Sequence, residues 1–203
     1  SVTGAVVVEG TYDIGLQDQA FLGLEAALAV PDPGGAGVEL HIATQWLHED
    51  RKQIADCLDM QPEQARLVLA GVGGAFGARE DISLQVHTCL LALRLGRPVR
   101  MQYSRAESFL GHVHRHPATI WMRHHATAEI VKVEARYVFD GGAYASTSSA
   151  VLLNAITHTQ GPYRCPNAVV DGWAVRTNHL PCGAMRGFGV VQACFAHESQ
   201  LDK

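Results

Sequence analysis

The chain has 203 residues, 47% of them hydrophobic and 18% charged, with a net charge of −4 at neutral pH. That length supports one sizeable core or two small ones, and the slightly acidic balance gives no electrostatic reason to expect nucleic acid or anionic lipid as a partner. No apolar run approaches a membrane span and the first residues lack the pattern of a signal peptide, so no membrane partner and a cytoplasmic location are expected.

Taken in chain order, Gly4–Gly10 is a short β-rich run. Residues Ala20–Val30 are apolar, Pro31-Asp32-Pro33-Gly34-Gly35 forces a turn, and Val38–Ala43 alternates as a strand, which together predict a hairpin. A helix follows with Leu47, Ile54, Ala55 and Leu58 on one face. Gln45 therefore lies where a strand meets a helix, a position that commonly projects a side chain into a cleft. Ala65–Ala70 is a strand that delivers a glycine-rich stretch, Gly71–Glu80, with four glycines between 71 and 77.

A helix from Asp81 is predicted to bury Ile82, Val86, Cys89, Leu90 and Leu93 and to stop at Gly96 before Pro98. Val99–Tyr103 is β-like, and Ser104-Arg105-Ala106-Glu107 has capping-box spacing. His112, His114 and His116 alternate, so in an extended strand they share a face, which fits a polar strand or interface better than a metal site. No metal-ligating residue is assigned.

Thr119–His124 and Ala126–Phe139 read as long strands, Ser148–His158 as a helix and Ala168–Thr177 as a strand. A second glycine-rich turn, Pro181–Gly189, leads to a last helix predicted to bury Val190, Val191, Cys194 and Phe195. Strands and helices alternate only in part, which argues for an α+β fold of mixed sheets with packed helices. No internal repeat is evident. The cysteines Cys57, Cys89, Cys165, Cys182 and Cys194 are scattered and odd in number, as buried free thiols would be. The chain opens without Met and stops inside a helix-like pattern, so it is expected to be a segment of a longer subunit.

The first glycine stretch invites a phosphate-cradle reading, because bare backbone N–H groups can approach an anion closely. Its spacing excludes the nucleotide motifs: Phe76 stands where a dinucleotide fingerprint needs its third glycine, and no register gives a P-loop. Two strand, glycine turn and helix elements, each with an aromatic residue and a cation, are more specific together than either alone.

Gly73-Gly74-Ala75-Phe76-Gly77-Ala78-Arg79-Glu80 resembles the G-G-G-F-G-G-K-E segment of the molybdenum hydroxylases, the xanthine dehydrogenase and aldehyde oxidase family. Ala184-Met185-Arg186-Gly187-Phe188-Gly189 resembles that family's A-F-R-G-F-G segment, Thr44-Gln45 its upstream T-Q pair, and Tyr163-Arg164-Cys165-Pro166-Asn167 its Y-K-x-P-N stretch. The resemblance runs through nearly the whole chain in order and spacing. It implies that residues 1–203 are part of the molybdopterin-binding domain of a large subunit closest to the xanthine dehydrogenase type. That subunit would hydroxylate an N-heterocycle, a purine such as xanthine or hypoxanthine, with water as the oxygen source.

By the same resemblance, Gln45, Gly74, Phe76, Gly77 and Arg186 contact the molybdenum cofactor, which molybdopterin holds without protein ligands to the metal. Gln45, Glu80 and Arg186 are then the catalytic candidates, while Glu80, Asn154 and Phe188 are the substrate-binding ones. Glu80 matches a carboxylate of purine-oxidising members that aldehyde-oxidising members lack. Asn154 falls where xanthine-oxidising members carry a second arginine, a departure that removes a cationic clamp. The family's general-base glutamate has no counterpart in these residues. The remainder of the large subunit, together with iron–sulfur and flavin (FAD) domains or subunits, is the expected set of partners. The alternative is a non-catalytic binding or assembly module on the same scaffold.

Overall fold

The computed structural model describes residues 4–203, so the Ser1-Val2-Thr3 opening lies outside the described residues. In chain order the elements are β1 (Val6–Ile14), β2 (Ala26–Pro31), β3 (Val38–Ile42), α1 (Leu47–Leu58), β4 (Ala65–Leu69), α2 (Gln85–Leu95), β5 (Val99–Gln102), α3 (Arg105–Gly111), β6 (Ala118–Ala126), β7 (Ile130–Gly142), α4 (Ser148–Thr157), β8 (Ala168–Arg176) and α5 (Val190–Leu201). They form two compact units, one spanning Asp18–Val113, the other joining the residues up to Gln17 with His114–Lys203. The α+β expectation stands.

The Asp18–Val113 unit is built on a sheet of order β4-β3-β2-β5. β2 and β3 form the expected antiparallel hairpin, closed where Asp32 N–H donates to Gly37 O at 2.9 Å and Gly35 adopts φ 69°. β3 and β4 are parallel, so α1 is their crossover. The core joins Ala29, Leu40 and Ile42 of the sheet to Ile54 of α1 and to Leu84, Cys89 and Ala92 at and along α2. Full burial of a side chain such as Ile54 is worth about 1.5–3 kcal/mol.

α2 begins at Gln85, not at Asp81. Ile82 and Leu84 continue the apolar pattern backwards, but Gln85 folds back on the preceding loop, its Oε1 accepting from Ser83 N–H at 2.6 Å. Its Nε2 meanwhile donates to the buried Asp50 at 3.1 Å. The glycine stretch is thus separated from the helix, and no acidic residue occupies the helix's first turn. The inward face is Gln85, Thr88, Cys89 and Ala92, while Leu90 is exposed. Gly96, at φ 60°, stops the helix as expected, and α3 carries the Ser104–Glu107 capping box.

The other unit carries a sheet of order β1-β6-β7-β8, antiparallel except between β7 and β8, which α4 connects. β7 shows the period of two in its burial: Val133, Ala135, Tyr137 and Phe139 point into the core with Ile120 and Met122 of β6. α4 lies on this face through Val151 and Ala155, and α5 through Ala193 and Ala196. β8 has one edge without a strand partner among the described residues, and Val169, Trp173 and Val175 on it are exposed.

α5 faces the other way from the sequence expectation. Its inward stripe is Gln192, Ala193, Ala196, His197 and Gln200, whereas Val191 and Phe195 are 42% and 48% exposed and Cys194 is exposed. The cause is long-range polar pairing: Gln200 accepts from Tyr12 Oη and donates to Val8 O at 2.8 Å, which ties the helix to β1. Small alanines let it sit close to the sheet. All five cysteines are free, but only Cys89 and Cys182 are buried, and burial pushes each of those two thiols up to about 12.

The alternating histidines do not form one face of a strand. His112, in the Asp18–Val113 unit, sets its ring between Glu25 at 2.7 Å and Asp18 at 2.9 Å. In the other unit His114 contacts Pro181 O at 3.3 Å, and His116 pairs with Ser148 Oγ at 2.8 Å. Burial holds the His116 ring down at about 4, so it is neutral.

Candidate functional site

The first glycine turn belongs to the Asp18–Val113 unit and follows β4. Gly74, Phe76 and Gly77 take φ of 96°, 53° and 102°. A left-handed phenylalanine is unusual and is held only where its surroundings over-determine it. The hold begins at Gly73, which is pressed so closely on Gly23 that a Cβ would lie 2.8 Å from Gly23 Cα, while Gly23 N–H donates to Gly73 O at 2.9 Å. Among the described residues the N–H groups of Phe76 and Gly77 have no backbone acceptor. Phe76 is exposed.

Arg79 completes the hold from beneath. Only 5% exposed, its guanidinium donates to Ala43 O at 3.1 Å and to Gly23 O, and lies over the Phe21 ring at 4.7 Å. Its backbone pairs with Gln45 in both directions: Gln45 N–H donates to Arg79 O at 2.9 Å, and Arg79 N–H donates to Gln45 Oε1 at 3.2 Å. An N–H donor requires an oxygen opposite it, which fixes the Gln45 amide orientation. With Oε1 engaged, the exposed Gln45 offers Nε2 to a ligand. Thr44 Oγ1 also donates to Arg79 O, at 3.2 Å.

Glu80 sits at the end of this turn, partly buried. Burial pushes its carboxyl above the usual carboxylate range, and the charge of Asp81 pushes it further. Both effects favour the protonated form, which can donate a hydrogen bond. Because α2 starts well beyond it, Glu80 is not a helix-capping carboxylate.

The second glycine turn lies in the other unit, ahead of α5. Gly187, Phe188 and Gly189 take φ of 88°, 45° and 92°, so here too a phenylalanine is left-handed, this time with a glycine directly on each side. Phe188 N–H donates to Met185 O at 2.7 Å and Val190 N–H to Gly187 O at 2.9 Å. Asn154 of α4 donates from Nδ2 to Phe188 O at 2.7 Å. A buried arginine again lies beneath: Arg115, 5% exposed, donates to Arg186 O at 2.8 Å, to Gln17 Oε1 at 2.7 Å and to Gln192 Oε1 at 3.4 Å. The Arg186 side chain itself is exposed.

The structure thus brings Gln45, Gly74, Phe76, Gly77 and Glu80 into one loop system, and Asn154, Arg186 and Phe188 into another. The donors around Gln45 and Phe76 suit a cofactor that presents oxygen atoms.

A family model described as molybdopterin cofactor-binding domain matches residues 2–203. The chain belongs to that family.

Two relatives extend the comparison. The chain is 37% identical to a probable xanthine dehydrogenase subunit of Bacillus subtilis, over 97% of this chain and 27% of that protein. It is equally 37% identical to the nicotinate dehydrogenase large molybdopterin subunit of Eubacterium barkeri, over 97% of this chain and 47% of the relative. The chain therefore spans less than half the length of either. The aldehyde oxidoreductase of Desulfovibrio desulfuricans superposes with a TM-score of 0.93 at 24% identity, over 98% of this chain and 22% of that one, which establishes the fold. No helix among the described residues is long and apolar enough to cross a membrane.

Sequence reasoning missed the two buried arginines that hold the turns, Arg79 in one unit and Arg115 in the other. Arg79 was visible as the cation beside the first turn. Arg115 was hidden among three histidines, although an arginine within so histidine-rich and uncharged a run was itself a signal that something paired it.

Proposed function

We propose that this chain supplies part of the active site of a xanthine dehydrogenase-type molybdenum hydroxylase acting on an N-heterocycle, with purines such as xanthine and hypoxanthine as the leading substrate class. The observation that carries this reading is the first turn: Gln45 held with its oxygen engaged and its Nε2 available, beside the Phe76 and Gly77 N–H groups that lack a backbone acceptor, and next to a carboxyl biased towards its protonated form. Gln45, the backbone of Gly74, Phe76 and Gly77, and Arg186 would hold the molybdopterin cofactor. That cofactor, when bound, supplies the redox chemistry of hydroxylation.

The remaining roles belong to the chain itself. A protonated Glu80 donates to a ring nitrogen and orients the heterocycle, stabilising negative charge that builds on it. The Arg186 cation adds electrostatic stabilisation, and the Phe188 ring packs on the planar substrate. Residues 1–203 act in this reading as a partial molybdopterin-binding domain of a cytoplasmic enzyme. The rest of the large chain provides the general base, and iron–sulfur and FAD modules collect the electrons. Nicotinate dehydrogenase among the relatives supports a heterocycle, whereas the aldehyde oxidoreductase carries the fold alone.

The test is a steady-state comparison of the full-length enzyme on hypoxanthine, xanthine, nicotinate and aliphatic aldehydes. Glu80→Ala is expected to lower kcat/KM on heterocycles by about 100-fold, the scale of a lost transition-state hydrogen bond to a charged group, with a much smaller loss on aldehydes. Equal losses on both would remove the heterocycle contact. A cofactor-loaded enzyme without turnover on the whole panel would favour the non-catalytic module.

A further inference from the structure

Phe188 is fixed on both sides of its peptide plane. Its N–H donates to Met185 O at 2.7 Å, and its C=O accepts from Asn154 Nδ2 at 2.7 Å. Asn154 stands on α4, and its neighbours on that helix press on the next residue of the turn: a Cβ added at Gly189 would lie 2.2 Å from Val151 O and 3.1 Å from Ala155 N. Helix and turn are therefore in backbone contact, and the Asn154 side chain adds a hydrogen bond from α4 to that turn. Its own C=O is occupied locally by Thr157 Oγ1 at 3.0 Å and His158 Nδ1 at 2.8 Å. Phe188 meanwhile holds φ 45°, a conformation that costs on the order of 1–3 kcal/mol for a residue with a Cβ.

We propose that Asn154 is a positioning residue, which acts on a bound ring through the Phe188 turn and not by touching it. Its amide locks the left-handed conformation that aims the Phe188 ring, and α4 is the rigid support against which that lock works. Asn154 thereby tunes how well the site takes flat aromatic substrates, while contributing no charge to their recognition. This rests on the reading of Phe188 as the residue that packs on a planar substrate.

The experiment uses the full-length enzyme and two measurements: KM and kcat on a planar N-heterocycle, and calorimetric Kd for that heterocycle and for its saturated-ring counterpart. Asn154→Ala is expected to raise KM and Kd for the planar ring about fivefold, the worth of one hydrogen bond, with kcat within about twofold and the saturated ring unaffected. Asn154→Asp keeps the shape, so it serves if the alanine variant folds poorly. Its carboxylate cannot donate to Phe188 O, and its defect should fade as the pH falls and the protonated carboxyl regains a donor. Phe188→Ala separates the two readings. If Phe188→Ala weakens the planar ring and neither Asn154 variant does, the positioning role is wrong and the stacking role survives. If Phe188→Ala changes nothing, the stacking role itself falls. Weakening of planar and saturated rings alike by the Asn154 variants would make the residue a general structural support and overturn the inference.

Discussion

The two glycine turns share one backbone device and hold it by different means. Each sets a phenylalanine in the left-handed region beside a glycine, over a buried arginine that donates to main-chain carbonyls. In the first turn the arginine is part of the loop it stabilises, and glycine presses on glycine. In the second the arginine arrives from another part of the chain, and a helix bears on the turn through Asn154 and Gly189. The first therefore supplies its own arginine and fastens it to Gly23, Ala43 and Gln45, whereas the second takes its arginine from elsewhere in the chain and leans on α4.

The arginines give the strongest way to break this comparison. Arg79→Met and Arg115→Met each leave carbonyls without their charged donor, and each should cost about 3 kcal/mol by thermal or denaturant unfolding of the full-length enzyme. The functional readouts should diverge. Arg79→Met is expected to lower molybdenum content more than Arg115→Met does, because it frees the Gln45 loop, while Arg115→Met should act mainly by raising KM. Molybdenum loss of the same size in both would mean that the turns do not divide the work in this way.

Glycine substitutions test the same difference on a smaller scale. Gly189→Ala places a Cβ against the Val151 carbonyl of a packed helix at a positive φ, and a loss of about 2–3 kcal/mol is expected. Gly187→Ala also has a positive φ, but its Cβ meets the flexible Val191 side chain, and about 1 kcal/mol should suffice. Unfolding midpoints that reverse this order would show that α4 yields to the turn.

The smallest effect concerns titration. Glu80 is raised by burial and by Asp81, so in the native chain it keeps a proton that the unfolded chain has already released. Its contribution therefore lowers stability as the pH climbs from the ordinary carboxylate range through the raised value. Glu80→Gln removes that loss, and its stability relative to the parent should rise across this window in a pH series of unfolding curves. A flat difference would place Glu80 in a more solvated setting.

Much of the scaffold was legible locally. The Pro31–Gly35 hairpin, the capping box at Ser104 and the stop at Gly96 all depend on near neighbours, which the sequence displays. The failures share a cause. Gln192 and Gln200 are buried on α5 because Arg115, Tyr12 and Val8, distant in sequence, satisfy their amides, so an apolar-face rule turned the helix the wrong way. Ile82 and Leu84 extended the helical pattern of α2 backwards, since periodicity cannot register Gln85 folding back on the loop.

At the candidate site, the glycine turns and Gln45 were readable because their spacing is a property of the chain. Asn154 is matched to substrate by position alone, and nothing in the sequence announces its bond to Phe188 O. The buried arginines were hidden for the same reason: in a bare sequence a cation looks solvated until its carbonyl partners are known.

The orientation of the Gln45 amide has a consequence of its own. With its oxygen engaged by Arg79 N–H, the first turn has three donor groups left over: one carboxamide NH₂ and the two peptide N–H groups of Phe76 and Gly77. The cation of this turn, Arg79, donates instead to the carbonyls of Ala43 and Gly23. The three remaining donors are neutral dipoles. Their attraction for an oxygen acceptor carries no charge of its own to titrate and is little screened by salt. It also acts only at contact, so it selects what has already arrived instead of gathering anions from a distance.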